Sequence, residues 1–208
     1  MSSVGLYDKL NSMNDKEFIE NFLLINISQV LAGIKPASTI CLKKDKSNSY
    51  NKWIKYGMDF IRFIGLEFIE LRENKELLVL LIYNEAKLEE SILKEENKMF
   101  LKSLGYDEGD NIKCYIYKLK ERYELYHCPH ELGLFLGIPT KDVKDFMNCT
   151  EKKCLLCGYW KVYNDDNKAK QIFSLYDEVK MHTYNEILKG SNSRNLAFSI
   201  KNFFCTSL

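Results

Sequence analysis

The amino-acid sequence predicts an α+β fold in which a small sheet containing antiparallel strands is covered by several helices. Three observations support this prediction. Apolar residues recur at helical spacing in several segments, two apolar runs flank a polar loop as in a β-hairpin, and the elements do not follow a strict strand–helix–strand alternation. A chain of 208 residues can bury a sizeable core, and we expect residues 1–208 to form a single domain.

The first long helix is predicted to begin after Asn14, because a glutamate follows three positions later, as in a capping box. Residues Phe18–Leu31 are apolar on nearly every side, which indicates a deeply buried helix. Gly33 and Pro36 are expected to end it. A short strand is predicted near residues 38–42.

The following segments predict another helix and the hairpin at residues 66–83. Apolar residues from Trp53 to Ile64 fall at helical spacing, and Gly65 ends that helix. Leu66–Arg72 and Leu77–Tyr83 flank a polar loop of four residues. The second of these strands is continuously apolar, a pattern typical of strands covered on both faces. We therefore expect it to be an inner strand of the sheet.

The second half of the chain is predicted to be mainly helical. Glu85–Leu104 is expected to form one amphipathic helix, and residues 112–123 form a helix or a strand. The buried side of the first of these helices is predicted to carry Leu88, Ile92, Met99 and Phe100. Residues 129–137 predict a short helix and residues 159–163 a further strand of the sheet. Asn164 is expected to cap a long helix.

Composition excludes several classes of protein. The net charge of +1 excludes a basic nucleic-acid scaffold, and the scarcity of arginine further supports the expectation of no nucleic-acid partner. The apolar runs are too short or too interrupted to span a bilayer, and no export signal is recognised, so we expect no membrane association. Seven cysteines, an odd number, indicate reduced thiols without disulfides and a cytoplasmic location.

The cysteines form the first candidate site. Cys149, Cys154 and Cys157 have the spacing of three ligands in plant-type two-iron ferredoxins, and the last two alone have the spacing of half a zinc site. Cys128 or Cys205 is the candidate fourth ligand. The charged residues between the first two cysteines differ from the small residues of a ferredoxin loop. Reduced thiols without a ligand are the alternative to a zinc or iron–sulfur site.

The second candidate site is the predicted helix start at residues 129–137. Exposed backbone N–H groups are expected there and would suit an anionic group, while His130 can donate or accept a hydrogen bond or carry a proton. Gly133 and Gly137 lower helix stability, which suggests the close approach of another backbone or of a ligand. The alternative is that His130 bonds a nearby loop and Glu131 only complements the helix dipole.

The aromatic strand at residues 159–163 is the third candidate site. Strand alternation places Tyr159, Lys161 and Tyr163 on one face. Hydroxyl groups and a lysine on one face suit an anionic or planar ligand, and Lys35 is expected to add a second positive charge. The alternative is that Trp160 and Val162 pack on the core while the lysine is solvated.

Two motifs in the second half of the chain, with a third upstream, resemble a known family. The first is PHELGLFLGIP at residues 129–139, which is followed by Asp142, Val143 and Phe146. The second is GYWKVY at residues 158–163, and the upstream motif is LAGIKP at residues 31–36. These motifs are similar to an uncharacterised bacterial family of unknown function, found mostly in clostridia-like anaerobes. The resemblance covers most of the chain. It implies a cytoplasmic protein from an anaerobe and supplies no activity or catalytic residues.

Three hypotheses of function stay open. The first is a cytoplasmic protein that binds a small, anionic molecule or a cofactor between residues 129–137 and 159–163; His130 then borders a concave surface with Lys161, Tyr159 or Tyr163 across it. The second is a cysteine-based metal or redox protein. The third is an interaction module whose aromatic strand contacts a protein partner. The residues do not decide whether the protein is an enzyme.

Overall fold

The structure, a computed structural model, describes residues 3–45, 48–107, 109, 111–148 and 151–205. Helices predominate and the strands are antiparallel, which confirms the predicted α+β class. In chain order the elements are α1 (Ser3–Asn11), α2 (Asp15–Leu31), β1 (Ala37–Lys43), α3 (Ser49–Lys52), a π-helical turn (Trp53–Gly57), α4 (Met58–Phe63), β2 (Glu67–Glu73), β3 (Leu77–Tyr83), α5 (Glu85–Ile92), α6 (Glu95–Ser103), α7 (Ile112–Tyr126), α8 (Leu132–Phe135), α9 (Thr140–Met147), β4 (Leu156–Cys157), β5 (Lys161–Val162), α10 (Asp166–Lys189) and α11 (Ser193–Cys205).

The main sheet has the strand order β1-β3-β2, and both pairings are antiparallel. Leu80 lies opposite Ile40 of β1 on one side and opposite Glu70 of β2 on the other. The continuously apolar strand β3 is therefore central, as the sequence predicts. The hairpin loop is closed by Asn74, whose side-chain oxygen accepts hydrogen bonds from the backbone N–H groups of Glu76 and Leu77.

Strand β3 separates two apolar cores. Leu78, Leu80 and Ile82 pack in a core formed with α2, α4, α10 and α11. Val79, Leu81 and Tyr83 pack in a second core with α5, α6, α7, α8 and α9. Because side chains alternate along a strand, a strand without polar residues has both faces available for burial. This is the physical reason for the uninterrupted apolar run.

Helix α2 has the predicted capping box. The side-chain oxygen of Asn14 accepts hydrogen bonds from the backbone N–H groups of Lys16 and Glu17, and the Glu17 carboxylate accepts one from the N–H of Asn14. Gly33 follows the helix with a φ of +72°, a conformation that glycine adopts without steric cost. The helix is buried along most of its length, as expected from its nearly uniform apolarity.

The prediction of a single helix over Glu85–Leu104 is wrong, because α5 ends at Ile92 and α6 begins at Glu95. The break is held by Asn97, whose side-chain amide donates to the carbonyl of Ser91 (2.8 Å) and whose side-chain oxygen accepts from the Thr140 hydroxyl. Because of this break, α6 does not continue the helical repeat of α5, and other residues of α6 face the core. Met99, predicted to be buried, is therefore 64% exposed, and Leu101 is buried instead.

The strand predicted at residues 159–163 does not join the main sheet. Its regular part is β5, which pairs only with β4 in a separate hairpin. The predicted alternation is correct, since Trp160 and Val162 are buried while Tyr159 and Lys161 are exposed. The cap of α10 is Asp165, which accepts from the N–H of Lys168 in place of the predicted Asn164.

Within the described residues, no helix combines the length and the apolar character that crossing a membrane requires.

Candidate functional site

A cavity of about 420 Å³ opens where the turn before α8, helix α9 and strand β5 meet, and we call it the His130 cavity. Its apolar wall includes Leu132, Leu136, Ile138, Val143 and Phe146. Its polar lining includes Cys128, His130, Asp142, Tyr159 and Lys161. An apolar concavity of this volume with a few convergent polar groups is typical of small-molecule sites, which span about 300–1,000 Å³.

Phe146 brings the two basic side chains of the cavity together. The His130 ring meets the Phe146 ring edge-on, with the ring centroids 5.0 Å apart and the planes at 70°. The Lys161 ammonium lies 5.6 Å from the centroid of the same ring, within the range of a cation–π interaction. Helix α9 thus supplies an aromatic surface that is bordered by one cation and one imidazole.

Asp142 fixes the position of β5 against α9. Its carboxylate is 3% exposed and accepts hydrogen bonds from the Trp160 indole N–H (2.9 Å) and from the backbone N–H groups of Tyr163 (3.0 Å) and Asn164 (3.1 Å). The Asn164 side-chain amide donates a further bond of 2.8 Å. A buried carboxylate is stable only when such donors replace water. Asp142 therefore determines where Lys161 lies relative to the cavity.

The indole ring of Trp160 is also fixed by close packing. It meets the ring of Phe173 edge-on, with a centroid distance of 4.5 Å. A Cβ atom at Gly158 would lie 2.2 Å from Phe173 Cε2, so only glycine allows the β4–β5 turn to approach α10 this closely.

The turn that carries His130 is shorter and more irregular than predicted. The helix expected over residues 129–137 is reduced to α8, and the preceding residues form a turn. The backbone N–H of Leu132 donates to the carbonyl of Pro129, and that of Gly133 donates to the carbonyl of His130. These two N–H groups at the start of the short helix are thus already occupied inside the turn.

Glu131 faces the protein core, away from the His130 cavity. Its carboxylate is 1% exposed, forms an ion pair with Arg122 of α7, and accepts a hydrogen bond from the Tyr106 hydroxyl (3.3 Å). Arg122 also donates to the carbonyl of Leu104 (3.0 Å). Burial, together with the negative charge of Glu131, raises the pKa of Tyr106, so its hydroxyl remains a donor. This network fixes the turn before α8 to the protein core, and it occupies the Glu131 carboxylate, which therefore does not contact a ligand in the cavity.

Gly137 joins the site to the connection between α2 and β1. Its φ is +82°, and a Cβ atom there would lie 2.7 Å from Cδ of Pro36. The close approach that the sequence suggested for this glycine is therefore present, and its neighbour is another part of the chain.

Substituting Gly137 tests this packing. Gly137→Ala should lower the free energy of unfolding by about 2 kcal/mol, because the new methyl group meets both an unfavourable φ and the Pro36 ring. Gly105→Ala is the matched control, since Gly105 has a φ of +84° and nothing within 4 Å of the added Cβ. We expect a loss of about 1 kcal/mol there. Equal losses in urea denaturation would show that the Pro36 contact is unimportant.

The other predicted site residues are dispersed. The Tyr159 hydroxyl donates to Asp177 of α10 (2.8 Å), so Tyr159 presents mainly its ring to the cavity. Tyr163 is half-buried and is not among the residues that line the His130 cavity. Lys35 lies in a different cavity, on the other side of Tyr159. The structure thus groups His130, Tyr159 and Lys161, and separates Lys35, Tyr163 and Glu131 from them.

The cysteines have individual environments. Cys154 is half-buried, and its thiol donates to the carbonyl of Leu156 (3.2 Å), whereas Cys128 and Cys157 are exposed. Cys149 and the side chain of Cys205 lie outside the described residues. Among the side chains that the structure describes, no three His, Cys, Asp or Glu residues form a group suited to a metal ion. The zinc and iron–sulfur hypotheses stay predictions, because Cys149 lies outside the described residues.

Three residues important to the site were not predicted as site residues from the sequence, although two of them belong to the motif that resembles a family. Asp142, Phe146 and Arg122 all act through partners that are distant along the chain or on another element. Asp142 and Phe146 stand in that motif, and Asp142 is also in the first turn of α9, where a carboxylate is favourable for a simpler reason.

Comparison with known proteins gives one match. No curated protein and no solved structure matches the chain. A family model described as protein of unknown function (DUF3793) matches residues 23–197, which include all residues of the His130 cavity. Since the match covers well over half of the sequence, the chain belongs to the DUF3793 family.

Proposed function

We propose that the protein is a cytoplasmic binder of a small molecule with a planar apolar body and an anionic group, held in the His130 cavity. The observation that supports this function best is the convergence of His130 and Lys161 on the exposed ring of Phe146. The cytoplasmic location rests on the odd number of cysteines in the sequence.

The residues have separate roles in this proposal. The apolar wall, including Leu136 and Val143, removes the ligand body from water, which is favourable in proportion to the apolar area buried. Lys161 neutralises the anionic group as a flexible point charge, and His130 supplies a directional hydrogen bond. The carboxylate of Asp142, which is part of the cavity lining, is engaged in hydrogen bonds that position β5, and Glu131 positions the turn before α8 from outside the cavity.

Cinnamate, a planar aromatic carboxylate, and the uncharged cinnamyl alcohol form a matched pair of probes. We expect cinnamate to shift the backbone amide NMR signals of residues 129–146 and 159–163, and the alcohol to bind more weakly. His130→Ala and Lys161→Met should each weaken cinnamate binding by about tenfold while changing stability little, because both side chains are largely exposed.

Lys153→Met is the control, since Lys153 is exposed and lies outside the cavity. Unchanged affinity in both cavity variants, or amide shifts confined to another surface, would contradict the proposal. Unfolding of His130→Ala would instead assign His130 a structural role.

A further inference from the structure

A second cavity, of about 450 Å³, lies between α1, α2, β1 and α10, and we call it the Lys35 cavity. Tyr159 borders both this cavity and the His130 cavity, so the two are neighbours separated by one aromatic side chain. The Tyr159 hydroxyl donates a hydrogen bond to the Asp177 carboxylate, so this carboxylate already has a partner. The Lys35 cavity has no part in the function proposed above.

The lining of this cavity combines apolar and polar residues. Helices α1 and α2 contribute Leu6, Leu10, Phe22 and Ile25. The polar lining contains two ammonium groups, from Lys35 and Lys180, the side-chain amides of Asn26 and Gln29, and the hydroxyl groups of Ser38, Thr39 and Tyr184. Among the described residues that line the cavity there is no carboxylate. The charge of the described lining is therefore positive.

The environment of Lys35 is unusual for a lysine. Burial lowers the pKa of Lys35 to about 8, because removing an ammonium group from water penalises its charged form. The Nζ atom of Lys35 lies 6.0 Å from the centroid of the Tyr176 ring, at the outer limit of a cation–π interaction. Within the described part of the chain, no carboxylate lies at ion-pair distance from Lys35 or Lys180. Near neutral pH the folded protein holds a poorly compensated positive charge, which a bound anion would compensate.

We infer that the Lys35 cavity binds a second ligand, an amphipathic molecule with one anionic head group and an unbranched apolar chain. The head group lies between the ammonium groups of Lys35 and Lys180, and the chain lies against Leu10, Phe22 and Ile25. The head group is a carboxylate or a phosphate monoester. Both supply the acceptor oxygens that two lysines and neighbouring hydroxyl groups require.

Calorimetric titration of the full chain with octanoate, octyl phosphate and octanol tests this inference. We expect at least one of the two anions to bind, and the neutral alcohol to bind at least about tenfold more weakly than that anion. The comparison of octanoate with octyl phosphate identifies the preferred head group. Lys35→Met and Lys180→Met, which keep the apolar stem and remove the charge, should each weaken anion binding by about tenfold.

Lys161→Met should leave this binding unchanged, because Lys161 belongs to the His130 cavity. That control separates failure of the second site from failure of the proposed function. Lys180→Met keeps the inference testable if Lys35→Met does not fold. Absence of binding by both anions, equal affinity for octanol, or unchanged affinity in the folded lysine variants would overturn the inference.

Discussion

Arg122→Met should lower the free energy of unfolding by about 4 kcal/mol, because it leaves the buried carboxylate of Glu131 without its counter-charge. The Glu131 side chain is 1% exposed, so water cannot replace the guanidinium group. The Tyr106 hydroxyl remains as a partner but supplies no charge. Urea denaturation followed by circular dichroism measures the loss.

A double substitution separates the charge from the packing. Arg122→Met combined with Glu131→Leu should recover most of the lost stability, because an apolar pair of similar volume leaves no charge buried. If the losses of the two single variants simply add in the double variant, the side chains contribute independently and the buried ion pair is not the cause.

Asp142→Ala should lower the free energy of unfolding by a similar amount, about 4 kcal/mol. The substitution leaves the indole N–H of Trp160 and the backbone N–H groups of Tyr163 and Asn164 without their acceptor. We also expect the hairpin of β4 and β5 to detach from α9, which separates Lys161 from His130. A change in tryptophan fluorescence and loss of cinnamate binding in the variant that remains folded would report that detachment.

Asp145→Ala is the matched control for Asp142→Ala. Asp145 lies on the same helix and accepts a hydrogen bond from the same Asn164 side chain, but it also forms an accessible ion pair with the exposed Lys152. The loss should stay below about 1 kcal/mol, as is usual for an accessible ion pair. Comparable losses at the two positions would mean that the buried hydrogen bonds of Asp142 are not decisive.

The elements that follow from local patterns are predictable from the sequence. The capping box at Asn14 needs only residues three positions apart, and the central position of β3 follows from its lack of any polar face. The break between α5 and α6 depends on the contact of Asn97 with Thr140, which is 43 positions away. No local pattern contains that information, so the sequence predicted one continuous helix.

In the candidate site, too, local features are predictable from the sequence, whereas features that depend on distant contacts are not. Alternation along residues 159–163 correctly predicts which side chains face outward, because it is a property of a single strand. The placement of that strand depends on Asp142, and the orientation of Glu131 depends on Arg122 from another helix. The sequence therefore identified His130 and Lys161 as neighbours but could not identify the residues that hold them.

The central position of β3 has a consequence for the synthesis of the chain. Leu77–Tyr83 combines seven apolar, strand-favouring residues without charge, proline or glycine, the composition of segments that stack into cross-β aggregates. In the folded protein both edges are paired and both faces are covered. The helices α5 to α9, which cover one face, follow it in the sequence, so a growing chain exposes this face until they emerge. The charged residues that flank the strand, Glu73, Lys75, Glu76 and Glu85, stand where gatekeepers against aggregation are found.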